Sequence, residues 1–447
     1  MRSSGGSVVP GDVDCASPTG LEGGLPLEQS TPQTLFFWAT CADYGFRRSS
    51  VHPVRLLSKT SSTFTKLRSN ESRTLHESFD AKHNSLTLAR FIFASLVVVS
   101  HSFALGGYHA NSDPWATWSK GQADLGNIAV EAFFLISGLL VAKSYDSVRG
   151  PGEFLFRRAL RILPAFWLAL IVGALVFGPI AWYHENHSLS GYFSGSVVGP
   201  WHYIYSNVFV QIHQWNINGL FASTPFGQNA PVSSINGSLW TLIFEAKCYI
   251  ILAILGGLGL LRYRKLVVAI TLFFFVMMVI HFVNPTLTVN IIPFFFPMAV
   301  SSFPFFFFVG VLFHLYGDAI PMNYRLGLAA WVVVAYTMFF GGWTVFGRLA
   351  FCYALLWTVL TFSAQWFERF GDPTYGTYVF AFPIQMMLAD FGFSQLGRWN
   401  NNLYGALYIA VSLVLSTAMG YASWHLLEKH ALRLKKRWPQ RAGQSVA

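Results

Sequence analysis

From Ser85 onward the chain is a succession of apolar runs separated by short polar breaks. Ten of them lie near 86–107, 125–143, 161–182, 236–261, 265–283, 291–316, 325–342, 346–364, 375–393 and 403–425. Each is about 18–26 residues long, which suits a helix crossing a hydrocarbon layer of about 30 Å. In lipid only helices or closed barrels satisfy every backbone polar group, and runs this long and uniform are not barrel strands. The pattern therefore predicts an all-α, polytopic membrane protein with about ten transmembrane helices.

Composition agrees. Of 447 residues, 53% are hydrophobic and only 11% are charged, less than half the roughly 25% charged share of a soluble domain. So few charges cannot cover a water-facing surface, which excludes an ordinary cytosolic enzyme, a disordered chain and a disulfide scaffold. The four cysteines (15, 41, 248 and 352) show no zinc or CxxC spacing. The first 85 residues differ, with nine basic and eight acidic side chains among many Ser, Thr, Gly and Pro. Their one apolar run, Leu35–Thr40, is too short to span, and no basic stretch stands directly before it. Residues 1–85 are read as a mostly disordered cytoplasmic extension rather than a cleaved leader. The transmembrane domain covers 86–430, and a basic cytoplasmic tail covers 431–447.

Charge placement sets an expected orientation. Lys143, Arg149, Arg157, Arg158 and Arg161 cluster between runs two and three, and Arg262, Arg264 and Lys265 between four and five. Tyr183–Leu239 contains no Lys or Arg. With Lys and Arg favouring the cytoplasm, both termini are expected inside. The tail cluster Arg433–Arg437 suits anionic lipid rather than nucleic acid. The long outer segment Tyr183–Asn236 is rich in Trp, Tyr, Asn, Gln, Ser and His. It reads equally as a sugar-binding lid and as an interfacial aromatic belt.

Ionisable groups inside spans are costly and mark candidate chemistry: Arg90, His101, Glu131, Glu245 and Lys247. Arg90 and His101 are eleven residues apart, which puts them on one helix face about 16 Å apart along the axis. An Arg near the inside and a His deeper on the same face suit a substrate that enters from the cytoplasm. Glu131 reads as a helix-end charge or a partner for His101. Glu245 reads as a partner for an Arg or an orienter of a His. Beside Glu131, Ser137 and Gly138 read as a close helix contact. Arg157, Arg158 and Arg161 precede Pro164, which is expected to bend or loosen the helix start. They suit a phosphate clamp, or anionic lipid contact. His184 and His187 lack a third ligand, so no metal site is expected.

Together these motifs resemble the integral membrane acyltransferase-3 family, whose members O-acylate carbohydrates and related molecules. The likeness runs from about Leu86 to Arg437. It comprises Arg90, ten intervening positions and His101; Val130 to Gly138, with Glu131 where members commonly have Asp; the Arg158-x-x-Arg161 pair ahead of Pro164; and Ser238 to Tyr249. A later stretch, Thr374–Pro383, carries Ala381 where members often have His, so that span is assigned no catalytic role. Glu428 resembles the acid near the family's C-terminal boundary.

The resemblance implies an acyl-CoA co-substrate, most often acetyl-CoA, and no permanently bound cofactor. It implies a carbohydrate hydroxyl as acceptor, in an envelope or exported glycan, and the bacterial cytoplasmic membrane as location. CoA phosphates are then expected at Arg90, Arg158 and Arg161. His101 is expected to serve as general base or as transient acyl carrier, with Glu131 or Glu245 orienting it. Asn236, Ser238 and Trp240 are expected on the acceptor side. The competing class is a multi-pass transporter or flippase of a glycan or small molecule. Such proteins often carry internal repeats, and no convincing repeat links the two halves of this chain.

Overall fold

The computed structural model describes residues 73–79, 84–284, 286, 302–393 and 401–437. Residues 1–72, residues 291–301 of the sixth expected span, Arg398 and the tail beyond Arg437 lie outside the described residues. Among the described residues the chain is all-α, without a β-strand. The long helices are α1 Leu86–Gly106, α2 Leu125–Asp146, α3 Pro151–Asn186, α4 Leu242–Gly257, α5 Arg264–Val283, α6 Ser302–Leu315, α7 Tyr324–Phe340, α8 Trp343–Thr361, α9 Thr374–Asp390 and α10 Asn402–Arg433. All coincide with the expected apolar runs. Among the described residues, seven are long and apolar enough to cross a membrane, α4 doing so together with the 3-10 turn Gly237–Thr241 before it; α6 and α7 are shorter apolar helices.

α3 begins well before its apolar run does. Pro151 occupies its first turn, where a missing N–H costs nothing. Glu153 in the first turn accepts from the backbone N–H of Arg149 at 3.1 Å and from the Arg157 guanidinium at 2.5 Å, so it ties the entering chain to the helix. Pro164, expected to loosen the helix start, lies inside the helix instead. Arg157, Arg158 and Arg161 consequently sit on the first turns of a continuous helix. Farther on, α3 widens into a π turn at Gly173–Phe177, just before Pro179, which has no N–H to donate. Tyr192 donates its hydroxyl to the Ala174 carbonyl there at 2.6 Å.

α1 lies between α2 and α9, α6 packs on the far side of α2, and α10 packs on α9. The α2–α6 crossing is backbone against backbone. A Cβ on Gly138 would stand 1.9 Å from the Phe307 carbonyl oxygen, and one on Gly310 would stand 2.2 Å from that of Leu135. Small residues allow such an approach between membrane helices, where dispersion and polar contacts replace a hydrophobic drive. Around it, Phe134 stacks on Phe303 with centroids 4.9 Å apart and Phe274 stacks on Phe308 at 5.6 Å.

The long segment after α3 is ordered by its own amides. Asn207 donates to the Gln214 carbonyl at 2.9 Å and accepts from the His213 backbone N–H at 2.8 Å. Gln214 donates to the Val198 and Asn216 carbonyls at 2.9 and 2.7 Å, and Asn218 to that of Tyr192 at 3.0 Å. Trp201, Tyr205 and Phe209 remain exposed.

The α2–α6 crossing yields a direct test. Gly138→Ala forces the helices apart, an overpacking cost of about 1–3 kcal/mol. The thermal midpoint of the detergent-solubilised protein should fall by several degrees. Gly195→Ala, where nothing lies within 4 Å of the added Cβ, should leave it unchanged.

Candidate active site

A cavity opens among α1, α2, α3, α4 and α9, lined by Arg90, Ser137, Arg158, Arg161, Glu245, Tyr249, Tyr375 and Tyr378 together with apolar side chains. It encloses about 130 Å³, against the roughly 10–15 Å³ that one water needs, so it is a chamber rather than a packing defect. The structure thus brings Arg90, Arg158, Arg161 and Glu245 to one place, although they come from three different helices.

Asp372 holds two of the arginines. Its Oδ2 accepts from Arg161 at 2.7 Å and from Arg90 at 3.1 Å. Burial alone would push its carboxyl up, but the Arg90 and Arg161 guanidiniums outweigh that and hold it well below the usual carboxylate range. The other oxygen accepts from the Thr374 backbone N–H at 3.3 Å, tying the same carboxylate to the start of α9. Arg161 also faces Glu428 at 3.9 Å, on a π turn of α10 formed by Trp424–Glu428. Ser423 donates to that carboxylate at 2.8 Å. Asp372 escaped the sequence reading because it stands outside every apolar run. Its signal is an acid followed by Pro373 and Thr374 at the foot of a span, a helix-start pattern in a chain with only 20 acidic residues.

Arg158 is bonded differently. It donates to the Ser144 hydroxyl at 3.3 Å, and its guanidinium lies 6.0 Å from the ring centres of both Phe154 and Tyr249. Among the described residues no carboxylate stands within ion-pair distance of it, and its buried Nε has no hydrogen-bond partner. Glu245 takes neutral partners. Its Oε1 accepts from the Tyr249 hydroxyl and, at 3.3 Å, from Ser137. The cavity therefore contains one cation and one carboxylate that are not spent on each other. Lys247, two residues on, lies 6.0 Å from the Phe244 ring centre.

His101 stands deeper on α1 and does not line the cavity. Its ring is partly buried and meets Phe382 edge-on at 5.6 Å, and its Nδ1 is buried with no hydrogen-bond partner among the described residues. Phe382 lies one turn beyond the cavity-lining Tyr378 on α9, so His101 sits about one turn above the chamber. Gln385, a further turn along, is fully buried and donates to the Val98 carbonyl and the Ser102 hydroxyl, each at 2.8 Å, beside His101.

Glu131 takes Arg348 of α8 as partner, accepting from its Nε at 2.9 Å, and is 1% exposed. The pair braces α2 against α8, and among the described residues no hydrogen bond joins Glu131 to His101. Asn236 donates to the Val379 carbonyl at 2.7 Å and accepts from the Ser238 backbone N–H at 3.3 Å. The Ser238 carbonyl accepts from Tyr378 at 2.9 Å, and the buried Ser238 hydroxyl has no partner among the described residues. Both residues border the site through α9. Trp240 stands apart: it is 41% exposed and packs on Phe244 and Phe303.

Comparison with known proteins agrees with this architecture. The family model described as "Acyltransferase domain" matches residues 83–421. A protein of Shigella phage Sf6 named "O-acetyl transferase" is 28% identical over 372 residues, covering 78% of this chain and 96% of the relative. "Nodulation protein 10" of Rhizobium leguminosarum bv. viciae is 27% identical over 383 residues, covering 80% of this chain and 96% of the relative. No solved structure matches the chain. With three quarters of its length under that family model, and its apolar helices and motif residues arranged as described, the chain belongs to the integral membrane acyltransferase-3 family.

Proposed function

We propose that this membrane acyltransferase moves an acyl group, acetyl first among candidates, from acyl-CoA to a hydroxyl of a carbohydrate in an envelope or exported glycan. Both termini are cytoplasmic in this reading, and the membrane is the bacterial inner membrane. The relative named "O-acetyl transferase" supports the transferred group. The observation that carries the donor is Arg158, a cavity cation without a carboxylate partner among the described residues. A guanidinium in that state gains most from a phosphate oxygen, which it can bind with two parallel hydrogen bonds. The clustering of Arg149, Arg157, Arg158, Arg262 and Arg264 at neighbouring helix ends supports a cytoplasmic donor side.

In the reaction, the acceptor hydroxyl gives its proton to the unpartnered imidazole of His101 as its oxygen attacks the thioester carbonyl. The C–S bond then breaks, and the CoA thiolate takes that proton from His101, which returns the imidazole to its neutral form. A His whose Nδ1 has no hydrogen-bond partner among the described residues is a suitable base, because no bond at that atom has to be broken before the ring reorients to accept. The acceptor approaches past Asn236 and Ser238, on the side of the outer segment. Glu245, with its hydroxyl partners Tyr249 and Ser137, supplies a polar wall between the donor arginines and that side.

The split roles separate three variants. His101→Ala should lower acyl transfer by about 100-fold or more, measured as CoA release by purified protein, with membrane level and thermal midpoint unchanged; wild-type turnover would refute the base assignment. Arg158→Ala should leave the fold intact and raise the acyl-CoA Kd about tenfold, the loss of one charge-assisted contact. Arg161→Ala should instead cost about 3–5 kcal/mol of stability, because it strips Asp372 and Glu428 of their shared cation. A thermal midpoint equal in the two arginine variants would remove this distinction.

A further inference from the structure

The stretch Arg73–Phe79 precedes the family match, which begins at residue 83, yet it is bonded to the domain along its length. Leu75 donates its backbone N–H to the Ile320 carbonyl at 2.9 Å, His76 to that of Gly317 at 3.2 Å, and Met322 to that of Arg73 at 2.8 Å. Thr74 pairs with Pro321 as an antiparallel bridge. Thr74 and Glu77 close a capping box on the single turn Leu75–Ser78. The Leu75 side chain is 0% exposed, which accounts for order in a segment whose composition reads as disordered. His76 bonds Asp318 at 2.8 Å, and its ring lies 5.6 Å from that of His314, which bonds Asp146 at the end of α2 at 2.6 Å.

This strap grips one turn of α2. The Lys143 ammonium sits 3.7 Å from the centre of the Phe79 ring. Leu75, His76 and Phe79 wall a pocket of about 400 Å³ whose opposite side includes Lys143, Ser147 and His314. A second face of the same turn belongs to the active site: Ser137 and Val141 line its cavity, and Ser144 accepts from Arg158. Leu139 and Lys143, which line the strap's pocket, lie one above the other on the helix, while 137, 141 and 144 project roughly 100–160° around it. A turn held on one face cannot rotate without moving the other.

We infer that the strap Arg73–Phe79 is a positioning element for the donor site. By clamping Lys143–Ser147 it sets Ser144, and through Ser144 it aims Arg158 into the cavity. The inference rests on reading that cavity as the acyl-CoA site. It gives the extension ahead of the family domain a role in donor affinity rather than in the chemical step.

The test uses the full chain in detergent with Leu75→Asp, which places a carboxylate in the strap's buried anchor site, and Leu75→Ala, which weakens the anchor without a charge. Deuterium exchange of the backbone amides of Lys143–Val148 and the Kd for acetyl-CoA are measured on each. Both variants should exchange faster in that turn and bind acetyl-CoA about tenfold more weakly for Leu75→Asp, with kcat at saturating donor unchanged. Faster exchange with unchanged Kd would overturn the link to Arg158, and unchanged exchange in both variants would overturn the clamp. If the wild-type protein bound no acetyl-CoA, the donor assignment would fail by itself. Exchange alone would then uphold or overturn the strap's hold on α2.

Discussion

Asp372 is the carboxylate on which the site depends. Arg90 on α1 and Arg161 on α3 both donate to one of its oxygens, and its other oxygen receives the backbone N–H at the start of α9. A guanidinium stays charged at any accessible pH and is costly away from water, so two of them can share a cavity only around a counter-charge. Glu428 adds a second acid at longer range, turned inward by the π turn of α10. Four helices thus converge on one electrostatic constraint, and the chamber is the space they enclose.

What that constraint leaves over is the useful part. With Arg90 and Arg161 balanced, Arg158 is held among the described residues by a hydroxyl and two aromatic rings. These partners position a cation without neutralising it, so its field remains available to an anion entering the cavity. Glu245 is the mirror case, a carboxylate held by hydroxyls. His101, with a ring nitrogen that has no hydrogen-bond partner among the described residues, completes a set of groups whose capacity is unspent. Elsewhere the molecule spends such capacity on structure. Glu131 is paired with Arg348, and the amides of Asn207, Gln214 and Asn218 are occupied by the backbone of the long segment after α3. A sugar lid made of those three amides would have to break the loop that presents them. The exposed rings of Trp201 and Tyr205 are the part of that segment open to a ligand or to lipid headgroups.

Much was legible in the residues. Helix positions follow from runs of apolar side chains, because lipid removes every alternative for the backbone. Gly138 read as a close contact, and it meets Gly310 across the α2–α6 crossing. Arg90, Arg158, Arg161 and Glu245 stood out because charges in apolar runs are costly, and they do converge. The same rule was blind to Asp372, which lies between runs and costs nothing until two arginines surround it. It was blind to the start of α3, where Arg157 and Arg158, placed between two apolar runs, already belong to the helix. It was blind as well to Arg73–Phe79, whose order depends on one buried leucine and on bonds to a connection about 240 residues away.

The sequence by itself determined the class of molecule, the positions of its helices and the short roll of ionisable groups that needed partners, since these depend on composition and local spacing. Only the tertiary structure decided which partner each group takes. Arg161 and Arg158, three residues apart on one helix, become a structural ion pair and an available cation because one faces Asp372 and the other faces aromatic rings. Partner choice for a buried charge is settled by distances of about 3 Å between helices, and no pattern along a single helix encodes them.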